Sequence, residues 1–209
     1  MPANYNKTAW FYDALSWVVF GNTLQRAQVN FLPYIPANAQ VLIVGGGTGK
    51  ILEALTTVHP DGLHICYAEI AANMISISRK RNTGSNTVEF LNLAVEDINM
   101  PGGFDVLITG FVLDNYTQQQ LPQLVAHLKN QLKPGGLWLN TDFQLTGKWW
   151  QKLLMKTMYR FFKLFADIKP AALPDIEGGI RSEGFNMKAQ QSFYGDFIGA
   201  QVWEKVSAK

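Results

Sequence analysis

The sequence predicts a three-layer α/β sandwich on one seven-stranded, mainly parallel sheet whose last strand runs antiparallel. Three observations carry this reading. From residue 39 onward, short apolar runs alternate with helix-length stretches, the pattern of a layered domain around a parallel sheet. Glycine or proline clusters at 45–49, 101–103 and 134–136 punctuate that alternation. The last two apolar runs are separated only by Gly195 and Asp196, short enough for a hairpin, so one of them opposes its neighbour.

The elements follow in order. Residues 40–45 form a buried strand, and 46–58 a glycine turn leading into a helix with Ile51, Leu52 and Leu55 on one face. Residues 63–69 are the second strand and 71–82 the second helix, closed by the basic cluster Arg79, Lys80 and Arg81. Strands at 88–93 and 105–110 flank the loop with Pro101, Gly102 and Gly103. A helix over 118–132 stops at Pro134, Gly135 and Gly136, and 137–143 is the fifth strand. Helical segments at 147–167 and 174–183 precede a strand pair at 185–194 and 197–206. The expected organisation is a single domain over 1–209. It comprises a helical leading segment to residue 36, a ligand-binding core at 37–143, a helical insertion at 144–183 and a closing strand pair at 184–209.

Composition narrows the class. A chain of 209 residues can bury roughly 70% of its unfolded surface in one core. With 47% hydrophobic and 16% charged residues it is neither disordered nor collagen-like. One cysteine, Cys66, forms no internal disulfide, so a reducing cytoplasm is the expected compartment. No apolar run approaches the ~20 residues that span a bilayer. The first twenty residues contain Asp13 and lack a basic leader, so no signal peptide is expected. The net charge of +2 hides an asymmetry, because Lys148, Lys152, Lys156, Arg160, Lys163 and Lys169 oppose only Asp167 over residues 148–169.

The glycine cluster in VLIVGGGTGK (residues 41–50) lies at the carboxyl end of the first strand, where open α/β sheets bind ligands. A phosphate-binding P-loop needs a glycine where Val44 stands and Ser or Thr where Ile51 stands, so that reading fails. A dinucleotide fingerprint is weakened by Lys50 at its third glycine, although Gly45, Gly47 and Glu69 fit.

Residues 41–49 resemble the first motif of class I S-adenosylmethionine (SAM) dependent methyltransferases, a strand ending in Gly-x-Gly-x-Gly. The resemblance continues through Ala68-Glu69-Ile70 with Asn73-Met74, through residues 88–98, through Phe104-Asp105-Val106-Leu107-Ile108, and through Leu132-Lys133-Pro134-Gly135-Gly136. Within it, the quinone-biosynthesis and related small-molecule methyltransferases are also similar in Phe11-Tyr12-Asp13-Ala14-Leu15, Phe20-Gly21 and Arg26. The resemblance implies a Rossmann-like fold, SAM as cofactor and a small, apolar or aromatic methyl acceptor. It implies that Gly45, Gly46, Gly47 and Gly49 approach the methionine part of the cofactor and that Glu69 accepts from the ribose hydroxyls. Ile70 and Met74 would sandwich the adenine, with helix packing the alternative for Met74. Val95 would offer its N–H to an adenine nitrogen, and Tyr12 or Arg26 would close over cofactor or substrate. Two positions depart from the pattern. Ile43 replaces the acidic residue two before the loop, and Ala94 replaces the third-motif Asp, whose role passes to Glu96 or Asp97. A SAM-binding but catalytically silent interaction protein, and an NAD-dependent oxidoreductase, are the competing readings.

The substrate side follows the fourth strand. Asp114 is the candidate general base, with capping of the next helix by Asp114 and Asn115 the alternative. His59, His64 and His127 show no metal-ligand spacing, and a divalent-cation set of Asp114, Asn140 and Asp142 is a minor reading. No metal is expected. The helix at 147–167 is basic and amphipathic: Lys148, Lys152, Lys156, Arg160 and Lys163 share about a third of the wheel. Trp150, Leu153, Leu154, Met158, Phe161 and Phe165 fill much of the rest. It packs on the domain, lids an apolar substrate, or rests peripherally on an anionic membrane. Nucleic acid is not an expected partner, and nothing in the sequence fixes the oligomeric state.

Overall fold

The computed structural model describes residues 19–165 and 172–206, with side chains except at 161–165. Its sheet has seven strands in the order β3-β2-β1-β4-β5-β7-β6. These are β1 Gln40–Val44, β2 Asp61–Ala68, β3 Ser85–Leu91, β4 Phe104–Gly110, β5 Leu132–Phe143, β6 Phe185–Phe193 and β7 Ile198–Lys205. Strands β1 to β5 pair in parallel, whereas β7 lies antiparallel between β5 and β6. The helices are α1 Thr23–Val29, α2 Lys50–Val58, α3 Ala72–Ser78, α4 Leu121–Gln131, α5 Trp149–Phe165 and α6 Ile176–Ser182.

Alternation along the central strands divides the core. Leu42, Val44, Cys66, Ala68 and Leu107 face α4 and α6, joining Leu124, Val125, Leu128, Ile176 and Ile180 with Trp138 and Trp203. Val41, Ile43, Ile65, Tyr67, Val106 and Ile108 face the other way, against Ile51, Leu52, Leu55 and Ile75 of α2 and α3. Both faces of the parallel sheet are therefore covered, which is why these strands read as unbroken apolar runs. A third cluster, Phe20, Ala27, Phe143, Met155, Phe197 and Ile198, seats α1 and α5 over one end of the sheet.

Several boundaries differ from the sequence expectation by a few residues, and three of the differences have a local cause. Helix α3 stops at Ser78 instead of reaching 82, because the basic run closes through tighter bonds, Lys80 N–H to Ile77 O and Arg81 N–H to Ser78 O. Strand β5 begins at Leu132, which pairs with Phe104 before the Pro134-Gly135-Gly136 irregularity, so that turn lies within the strand. The β6–β7 link is the four residues Tyr194, Gly195, Asp196 and Phe197, with the first three at positive φ.

Candidate active site

Strand β1 is flanked by β2 on one side and β4 on the other, so the direction of winding reverses beside it and leaves a crevice at the strands' carboxyl ends. The glycine loop builds one wall. Gly45, Gly47 and Gly49 all adopt positive φ, which only glycine holds without strain, and Gly49 N-caps α2. Gly46 is needed for space: a methyl there would fall inside the Tyr67 ring. The Tyr67 hydroxyl donates to Gly47 O at 2.9 Å, so the phenol props the loop from below.

Glu69, at the end of β2, is only 6% exposed. Its Oε2 accepts from Gly47 N–H at 3.0 Å and its Oε1 from Ala71 N–H at 2.9 Å. Burial raises its pKa, against the lowering effect of the Ala71, Gly47 and Ile70 N–H groups. Each oxygen keeps a further lone pair, so the carboxylate can brace the loop and still accept from a ligand diol. Asn92 fixes the turn beyond by donating to Glu69 O and Ile70 O at 2.9 and 2.8 Å. Ile70 is half-buried, and Met74 is 9% exposed with its sulfur 4.0 Å from where a Cβ on Gly47 would stand. Val95 opens a short 3-10 turn (Val95–Asp97), where a first-turn N–H has no acceptor within its own turn. Its carbonyl meets His127 Nε2 at 3.0 Å. The Tyr116 hydroxyl donates to Glu96 at 2.9 Å.

These residues fit a SAM molecule: a glycine wall with no side chains, a buried diol acceptor beside it, and apolar surfaces from Ile70 and Met74. The departures remain departures. Ile43 is buried in the core at 1% exposure, and Ala94 precedes the 3-10 turn with no side-chain acceptor.

The leading segment enters through α1, but with a different residue forward. Arg26, expected at the cofactor, is exposed. Gln28 instead lies over Gly110, where a Cβ would strike its amide. With Thr109, Gly45 and Thr141, Gln28 narrows the β1–β4 crevice to about 20 Å³. Tyr12 lies outside the described residues.

The acceptor side holds two carboxylates. Asp114 sits in a 3-10 turn (Leu113–Asn115) after β4, and Asp142 near the end of β5. Asp142 is 3% exposed and accepts from Leu113 N–H and Phe143 N–H, both at 3.0 Å. Asp114 is half-buried and accepts from Asn115 Nδ2 at 2.9 Å. Burial pushes Asp114 up to about 7. Burial also raises Asp142, and the Asp114 charge adds to it, so the two titrate as a pair. The capping alternative for Asp114 finds no support, since no side chain caps α4. Tyr159, from α5, donates to Asp114 O at 3.4 Å, and its phenol is raised first by burial and then by both carboxylates. Among the described residues no group of three His, Cys, Asp or Glu side chains is placed to hold a metal ion. Gln28, Tyr67 and Tyr159 lie in no motif read from the sequence, and Asn92 lies within the 88–98 stretch without a role assigned to it there. Only their tertiary placement brings them to the site.

Comparison with known proteins points to the same class of fold. Residues 41–136 match the family described as "Methyltransferase domain". A non-reducing polyketide synthase of Penicillium shearii is 26% identical over 153 residues, covering 64% of this chain and 7% of that protein. The ubiquinone/menaquinone biosynthesis C-methyltransferase UbiE of Vibrio campbellii is 29% identical over 108 residues, 50% of this chain and 41% of that protein. The chain thus matches less than half the length of these curated relatives. Among solved structures, a 1,6-didemethyltoxoflavin N1-methyltransferase of Burkholderia thailandensis, with its substrate and S-adenosylhomocysteine bound, superposes with a TM-score of 0.67. It is 14% identical, over 96% of this chain and 86% of that one. Residues 41–136 thus match a methyltransferase domain, the sheet has the fold of class I SAM-dependent methyltransferases, and SAM is the cofactor of that class. The antiparallel β7 between β5 and β6 also departs from the all-parallel 3-2-1-4-5-6 order of dinucleotide-binding sheets, which removes the oxidoreductase reading.

Proposed function

We propose that the chain transfers a methyl group from SAM to a small aromatic acceptor whose reacting O–H, N–H or acidic C–H is presented to the Asp114–Asp142 pair. The carboxylate pair at the ends of β4 and β5 is the observation that carries this reading. SAM supplies an electrophilic methyl on a sulfonium. Gly45, Gly46, Gly47 and Gly49 admit its methionine part, Glu69 holds the ribose hydroxyls, and Ile70 and Met74 clasp the adenine. Val95 N–H and Glu96 address the adenine edge, and Gln28 of α1 covers the crevice beside the glycine loop.

Asp114, pushed up to about 7, is a base poised near neutrality. In the transfer the acceptor's bond to the methyl carbon would form as the methyl–sulfur bond breaks and S-adenosylhomocysteine leaves, and the acceptor's proton would pass to an Asp114 oxygen. Asp142, held by two backbone N–H groups, stays fixed beside it. Tyr159 steadies the turn that carries Asp114. Phe111, Phe143 and Tyr159 offer an apolar wall. On the other side of Asp142 a cavity of about 670 Å³, lined in part by Asn140, Gln190, Ser192 and Gln201, has room for polar substituents.

Release of S-adenosylhomocysteine from SAM, measured against simple phenols and nitrogen heterocycles, tests this. Turnover with at least one acceptor is expected, falling about 10²-fold or more in Asp114→Asn. Equal turnover by parent and variant would remove Asp114 from the mechanism. The apolar floor at Ile43 favours one second reading, a SAM-binding but silent protein; SAM binding with no turnover on any acceptor would select it.

A further inference from the structure

The outer face of α5 is not used by the proposed methyl transfer. From Trp149 to Arg160 its exposed residues are Trp149, Lys152, Leu153, Lys156, Thr157 and Arg160, which at 100° per residue share an arc of about 140°. Trp149 is 76% exposed and Leu153 59% exposed, so Leu153 stands apart from Trp150, Leu154 and Met158, with which it shares the apolar part of the wheel. Lys152, Lys156 and Arg160 have no acidic partner among the described residues, and α5 itself contains no Asp or Glu. Lys148 is engaged by Asp196 at 2.8 Å. The opposite face, with Met155, Leu154, Met158 and Tyr159, packs on the domain.

We infer that this face docks the protein on an anionic lipid bilayer, with Lys152, Lys156 and Arg160 over lipid headgroups and Trp149 and Leu153 in the interface. Exposing a Trp and a Leu to water is unfavourable, and their alternation with cations that have no acidic partner among the described residues matches a surface that is anionic outside and apolar just beneath. A nucleic-acid backbone would satisfy the cations and leave Leu153 without a partner. No described helix is long and apolar enough to cross a membrane, so the contact is peripheral. Tyr159 on the same helix reaches Asp114, so docking sets the acceptor side of the site near the bilayer.

Co-sedimentation of the full chain with vesicles of phosphatidylcholine containing about 30% phosphatidylserine, against pure phosphatidylcholine, tests the inference. Binding to the anionic vesicles is expected, weakened by salt. Each basic residue contributes about fivefold, so Lys152→Gln/Lys156→Gln should partition about 30-fold more weakly. Its melting temperature should match the parent, because both side chains are exposed. Trp149→Ala/Leu153→Ser should also bind less at unchanged charge. The inference fails if the parent does not pellet, if it pellets equally with neutral vesicles, or if the lysine variant pellets like the parent. Displacement from vesicles by a single-stranded oligonucleotide through the same lysines would reassign the face to nucleic acid and overturn it. None of these outcomes depends on methyl transfer, which the S-adenosylhomocysteine assay reads separately.

Discussion

At Glu69 one carboxylate serves two roles, holding Gly47 and Ala71 and remaining open to a diol. Tyr67 beneath the same loop closes Gly46 to any side chain: Gly46→Ala must displace either the ring or the loop. Overpacking of this kind costs about 1–3 kcal/mol. The measurement is a chemical melt, expected to show that loss together with weakened SAM binding. At Asp114 the sign of the pH dependence is set by a native value of about 7 against about 3.9 in the unfolded chain. The folded state binds the proton more tightly, so stability from this group is greatest in acid and declines as pH rises from about 4 through 7. Melting temperatures of Asp114→Asn across that range should show a flatter profile than the parent. In catalysis the sign reverses: the base form accumulates above pH 7, so kcat/KM should climb through neutrality in the parent and lose that limb in the variant.

At the scale of elements, what was legible followed from what is local. Strand β1, the glycine loop and α2 were readable because apolar period, glycine spacing and the strand's end coincide within about twenty residues. The Asp114–Asp142 pair was only half readable: both residues were visible as acids, but Asp142 lies a whole helix and strand further on. Only β4–β5 pairing brings them together. Which residue of α1 faces the crevice was not readable, because a seven-residue helix with one buried position, Ala27, carries no clear stripe. That Leu153 faces out was not readable for a related reason: a wheel ranks polarity but does not say where the domain lies. Trp138 ties strands together, its Nε1 donating to Thr109 Oγ1 at 2.8 Å while that hydroxyl donates to Asn140 Oδ1 at 2.8 Å. Trp138→Ala removes a fully buried ring and should destabilise by about 3–5 kcal/mol in denaturant titration.

Over the whole molecule, the sheet order separates two functions in space. In the proposed reading the β1–β4 crevice and the glycine wall are the cofactor end, and β5, β7 and α5 the acceptor end, with Asp114 and Asp142 between them. Calorimetric titration of the parent and Glu69→Ala with SAM and with S-adenosylhomocysteine tests the cofactor assignment most directly. Both ligands should bind the parent, and Glu69→Ala should weaken each at least about tenfold, since it removes charge-assisted hydrogen bonds worth about 1.5–3 kcal/mol each. No heat with either ligand, or equal affinity in the variant, would contradict the account.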